Sequence, residues 1–214
     1  MRRAALAFAL LASLASAAAA QRFVVGAQAA VGSYQEQGPS LDFTGWGPSI
    51  TADASWRRFG LALAVSRISY SPTDPDAAAE SFDLTQFDGR VRYGINDMFS
   101  VQAGYQQRTV APSTAAQGLS FIPIGGTVSF TLAPGARIAA NVDYLAAAHF
   151  SGGGSAPFAM ELGLHAYYAP NAGSLRFTAD FAFDRIDRQT TTSSGTLDSP
   201  IQSAVTTIGI ALAF

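Results

Sequence analysis

Ten stretches of alternating apolar and polar residues, separated by breaks that are short and long in turn, constrain this chain more than any other feature. The stretches fall near 22–34, 47–57, 60–71, 84–95, 99–110, 120–132, 137–150, 158–169, 174–187 and 202–214. The clearest is the ninth. Leu175, Phe177, Ala179, Phe181 and Phe183 share one face, while Arg176, Thr178, Asp180 and Asp184 share the other. A period of two is the signature of a β-strand with one apolar and one polar surface. The breaks at 57–60, 96–98, 134–136 and 170–173 are tight turns. Those at 35–46, 72–83, 111–119, 151–157 and 188–201 are longer and rich in Pro, Gly, Ser, Thr and Gln. Residues 42–48 also admit an extension of the second strand.

The expected fold is therefore all-β: a single closed antiparallel up-and-down transmembrane β-barrel of ten strands over 21–214, with eight and twelve strands as alternatives. Each stretch of 11–14 residues exceeds the 9–11 that cross a bilayer at a tilt of about 45°. Only 13% of residues are charged, about half the share usual in a soluble domain. The short breaks read as periplasmic turns and the long ones as extracellular loops, with both chain ends periplasmic. In the third strand Leu61, Leu63 and Val65 share a face that Ile68 and Tyr70 do not follow, so a bulge is expected near Ser66.

Residues 1–20 hold Arg2 and Arg3, an Ala/Leu/Phe stretch and a small-residue end at Ala18, Ala19 and Ala20. This is the pattern of a secretory signal peptide cleaved near Ala20/Gln21, with Ala18 as the other site. The chain has no Cys and only two His, which argues against disulfides, a Cys nucleophile and a transition-metal centre. No cofactor is expected. A formal charge of −2 gives no indication of nucleic acid.

The last residues, Thr207-Ile208-Gly209-Ile210-Ala211-Leu212-Ala213-Phe214, resemble the terminal signal of bacterial outer-membrane β-barrel proteins, with Thr207, Gly209, Leu212 and Phe214 matching it. The hairpin Arg92–Tyr105 is similar to those of small barrels in that superfamily. The resemblance implies an outer-membrane location and periplasmic chaperones and the barrel assembly machinery as partners in biogenesis. The environment it implies is outer-membrane lipid and lipopolysaccharide. Two aromatic girdles are expected: Phe23, Trp56, Phe59, Tyr93, Phe99, Tyr168 and Phe214 at the periplasmic end, and Tyr34, Trp46, Tyr70, Phe150 and Phe158 at the other.

Turn centres give a register. Around Asp97, Arg92 faces Gln102, Asp88 faces Gln106 and Gln86 faces Arg108. Around 171–172, His165 faces Thr178 and Glu161 faces Ala182. Around the loop 151–157, Asp143 faces His165. The inward charges then divide between two walls, with Arg90, Arg92 and Arg108 on one and Asp143, Glu161, His165, Arg176, Asp180 and Asp184 on the other. Opposed charges either pair and fill the barrel or keep a narrow water path between them. The expected function is non-enzymatic, a structural or surface-interaction barrel or a narrow diffusion pore. The alternative is a lipid A ester hydrolase. His149-Phe150-Ser151 with Glu161 resembles the His-x-Ser plus Glu arrangement of outer-membrane lipid A deacylases, which implies Ser151 as nucleophile, His149 as base and Glu161 as its orienting group. Gly152 stands where that family tends to have Asn. Omptin-type proteases share the ten strands but pair Asp-x-Asp and Asp-x-His steps on facing walls; here Asp74-Pro75-Asp76 lies in a loop and no Asp-x-His step occurs.

Overall fold

The computed structural model describes residues 21–37, 41–76, 79–113, 117–170, 173–193 and 195–214. The expected signal peptide and the turn centre at 171–172 lie outside the described residues. Ten long strands form the wall: β1 (Gln21–Glu36), β2 (Leu41–Trp56), β3 (Phe59–Pro72), β4 (Phe82–Gly94), β5 (Phe99–Ala111), β6 (Leu119–Ala133), β7 (Ala136–Phe150), β8 (Ser155–Tyr168), β9 (Leu175–Thr192) and, after the four-residue β10 (Gly195–Asp198), β11 (Ile201–Ala213). Every neighbouring pair is antiparallel. β11 pairs with β9 on one side and β1 on the other, which closes the ring. The closing seam ends in reciprocal backbone bonds between Phe23 and Phe214. β10 only folds back on the extended tip of β9. The tight turns and both ends of the described chain lie at one rim, the turn end, and the longer connections at the other, the loop end.

The second strand takes in residues 42–48, so β1 and β2 form a hairpin nearly to its tip. The bulge expected near Ser66 does not occur. β3 keeps one register with β2 and one with β4 along its whole length. Arg67 and Ser69 follow Leu61 and Val65 on the outer face, while Ile68 and Tyr70 follow Ala62 and Ala64 inward. The strand keeps its faces; the surroundings of the two faces change. Toward the turn end the outside is apolar, with Ile50, Val91, Val101, Ile124, Leu164 and Ile210 exposed on it, and the inside is polar. Toward the loop end the outside carries Arg67, Asp83, Arg185 and Asp187, and the inside is an apolar core.

That core corrects one of the expected girdles. Trp46 and Phe158 do face outward, but Tyr34, Tyr70 and Phe150 are 3%, 1% and 1% exposed and point into the lumen. They pack there with Phe43, Phe82, Phe121 and Ile186. Tyr34, Phe43, Tyr70 and Phe82 meet ring to ring at centroid separations of 5.0–6.2 Å, within the range of favourable aromatic pairs. Of the turn-end girdle, Trp56, Phe59, Tyr93, Phe99, Tyr168 and Phe214 are exposed on the outer face, and Phe23 is half-buried beside the Phe214 ring.

Real bulges sit elsewhere. β6 and β7 slip by one residue between Ser120 and Ile122 and again near Thr131. Ala147 takes φ 52°, so β7 reverses its facing beyond Leu145: Leu145 is buried inward, yet so is Phe150. The β7–β8 ladder runs only to Tyr144↔Met160.

Candidate functional site in the lumen

Register decides which charges meet. The β4–β5 hairpin has the expected pairing, Arg92↔Gln102, Asp88↔Gln106 and Gln86↔Arg108. The next two expected registers are corrected. Asp143 lies opposite Glu161, and Ala139 opposite His165, because the chain reverses at 151–154 and β8 already begins at Ser155. His165 lies opposite Asp180 and Glu161 opposite Asp184, two residues from the expected pairing. The result is a tier of charge in the middle of the lumen. A ten-stranded ring has a backbone radius of only about 10 Å, so an arginine on one wall reaches carboxylates on the other.

Arg90 on β4 is the hub. Its Nη1 donates to Asp143 at 2.7 Å, its Nη2 to Glu161 at 2.7 Å and Asp88 at 2.6 Å, and its Nε to Asp88 at 2.8 Å. Asp143 is fully buried and also accepts from Gln102 and Asn141. Arg108 on β5 grips Asp184 on β9 with two parallel bonds of 2.6 and 3.0 Å, the bidentate geometry that makes guanidinium–carboxylate pairs strong. Its Nε donates to Gln86, and Ser203 donates to Asp184. Buried ions are tolerated only when paired and hydrogen-bonded, and these are. Two glycines make the room: a Cβ on Gly125 would strike Asp143, and one on Gly163 would strike Asn141.

The remaining charges lie nearer the turn end. His165 is bridged between Asp180 and Asn141 at 3.0 Å each, and Gln28 and Thr207 donate to the same Asp180. Arg92 donates to Gln102 and stands 4.0 Å from Asp53. Arg176 makes no ion pair among the described residues; its guanidinium lies 4.9 Å over the Tyr167 ring. The register around Asp97 places Asp88 and Gln102 inward, as observed, but does not by itself assign them to the charge network. Gln28 and Asn141 carry no comparable signal, because neutral inward residues are common in any barrel.

The His149, Ser151 and Glu161 set is not brought together. Ser151 donates to the Gly118 carbonyl at the loop end, and His149 is exposed and paired with Ser120 in the β6 ladder. Glu161 is level with Asp143, five to six residues down the wall, about 17–20 Å at the strand rise, and its carboxylate is held by Arg90.

No protein-family model matches the chain, and no curated protein is significantly similar to it. Among solved structures, the outer membrane protease OmpT of Escherichia coli superposes with a TM-score of 0.51 over 91% of this chain and 96% of its own. The fold is that of an outer-membrane β-barrel. At 11% identity the likeness to OmpT is one of fold, and the barrel's Asp74 and Asp76 form an exposed turn in which the Asp76 amide donates to Asp74. The β-domain of the Bordetella autotransporter BrkA (15% identical, TM-score 0.44, 86% of this chain and 98% of that one) and Neisserial surface protein A (14%, 0.43, 90% and 97%) are also similar.

Proposed function

We propose that this chain is a closed, non-conducting barrel of the bacterial outer membrane, with its turn end toward the periplasm, serving as a structural and surface element. One observation carries the reading: the loop-end lumen is filled from wall to wall by buried aromatic and aliphatic side chains, above a tier of ion pairs that bridges opposite strands. An ion moving through would have to part Tyr34, Phe43, Tyr70, Phe82 and Phe121 from one another and then pass Arg90 and Arg108. Apolar constrictions exclude ions by excluding their water. The outer belt matches lipid, the polar rim above it matches the lipopolysaccharide side, and the lipid-facing Phe214 at the closing seam suits recognition by the assembly machinery. This reading assigns no catalytic step.

Reconstitution into planar bilayers tests it. The wild-type barrel, proven folded by its heat-modifiable gel mobility, should give no steady single-channel current. A variant with Tyr70 and Phe121 both changed to Ala should begin to conduct. Steady currents from the wild type overturn the proposal. Mass spectrometry of lipid A from cells with and without the protein should show the same acyl chains; loss of one that depends on Ser151 would replace this reading with a hydrolase.

A further inference from the structure

Below the ion-pair tier the lumen is hollow. A cavity of about 680 Å³ opens at the turn end and runs up the β1–β4 wall, where Gln28, Ser49, Thr51, Ala62, Ala64 and Ser66 leave space, past Arg108 and Asp184 to Ile68 and Tyr70 of the apolar core. Its size lies within the roughly 300–1,000 Å³ of small-molecule sites.

The charge around this vestibule is lopsided. Outside the central tier, six arginines line it: Arg22, Arg92 and Arg176 within, and Arg57, Arg58 and Arg137 about the mouth. Against them stand three carboxylates, Asp53, Asp97 and Asp180. Asp180 is already held by Gln28, His165 and Thr207. The vestibule therefore carries an excess of three positive charges in a chain with more acidic than basic residues.

Arg176 is the second, independent sign. It is 9% exposed and lines the vestibule, yet among the described residues its Nε has no hydrogen-bond partner and no carboxylate pairs with it. Among the charges that act on it, the repulsion of Arg22 outweighs the attraction of Asp53. A buried guanidinium without a counter-ion costs several kcal/mol, whereas the buried guanidiniums of the central tier are paired, Arg90 with three carboxylates and Arg108 with Asp184. The planar fork of arginine fits carboxylate and phosphate oxygens in pairs.

We propose that the vestibule is a binding site, entered from the periplasm, for a small hydroxylated molecule bearing a carboxylate or phosphate, with Arg176 and Arg22 holding the oxyanion and the hydroxyl- and amide-lined wall receiving the polyol. The inference rests on the reading of a barrel closed at its loop end and open at its turn end. Its binding assay in micelles is independent of conductance, so either idea can fail without the other.

Calorimetric titration of the full barrel, folded in an uncharged detergent, tests the site with glucose 6-phosphate, glucuronate, inorganic phosphate and glucose. At least one of the two anionic sugars should bind tenfold or more tightly than glucose, and whichever is preferred identifies the head group. Arg176→Gln should weaken that binding at least tenfold, Arg176→Lys should fall between, and Arg185→Gln, on the outer loop-end face, should leave it unchanged. Where Arg176→Gln does not fold, protection of Arg176 in the wild type from phenylglyoxal by the preferred sugar gives the same answer. Equal affinity for glucose and both anions, unchanged binding in Arg176→Gln, equal loss in Arg185→Gln, or no protection of Arg176 overturns the proposal.

Discussion

The same ten strands build two unlike regions. At the turn end the barrel is a membrane object, apolar outside, polar and hollow inside. At the loop end it is built like a small soluble barrel, with Arg67, Asp83, Arg185 and Asp187 outside and Tyr34, Phe43, Tyr70 and Phe121 packed inside. No strand turns over to achieve this in β3, where the alternation runs unbroken from Phe59 to Ser71. What inverts is the chemistry assigned to each face, because water replaces lipid as the outer solvent partway along the wall. The lesson is that a period-2 pattern identifies a strand, while the phase of that pattern identifies the solvent on each side.

The comparison can be broken most sharply where the regions meet. Arg90→Ala should destabilise the barrel by about 3–5 kcal/mol, the cost of leaving buried carboxylates unpaired, read as a lowered urea midpoint for unfolding from detergent or bilayers. Next in size is a charge scan of the outer face. Ile50→Arg, in the lipid belt, should cost about 2–4 kcal/mol. Thr109→Arg, on the outer face at the loop end, should change stability by less than about 0.5 kcal/mol. Equal costs at the two positions would mean that the loop-end wall lies in lipid as well. Gln106 gives a smaller effect of opposite sign. Its side chain is fully buried at the junction of the polar tier and the apolar core, opposite Phe121, and among the described residues neither amide atom has a hydrogen-bond partner. An unmet buried amide costs about 1–3 kcal/mol, so Gln106→Leu should raise the unfolding midpoint. Smallest of all is Arg67→Ala, which breaks an ion pair exposed to water; exposed pairs contribute little, and the same urea titration should show no measurable change.

Most of the architecture was legible in the residues. All ten strands were placed, and the β4–β5 register was correct because Asn96-Asp97 fixes a tight turn: Asn96 accepts from the amides of Met98 and Phe99. The β7–β8 register departs from expectation because the centre of a seven-residue break is not where the chain reverses: the turn at 151–154 leaves Ser155, Ala156 and Pro157 in the strand. The bulge at Ala147 gives no sequence signal, since a run of three alanines fits either face. The inverted phase misled twice, turning Ile68 and Tyr70 into evidence for a bulge and Tyr34, Tyr70 and Phe150 into a lipid-facing girdle. Arg176 is legible as an inward charge, but its lack of an ion-pair partner among the described residues depends on which side chains the ring brings together.

The ion-pair tier also bears on the order of events in assembly. Arg90 finds Asp143 and Glu161 at 53 and 71 residues' separation, and Arg108 finds Asp184 at 76. These partners sit on β4 and β5 and on β7 to β9, strands that face one another only in a finished ring. An open, half-curled sheet entering lipid would leave Arg90 only Asp88, its neighbour on β4, and would carry Arg108, Asp143, Glu161 and Asp184 with no counter-charge, each penalised by several kcal/mol. The residues that cross-brace the mature wall therefore tie the cost of burying their own charges to closure of the ring.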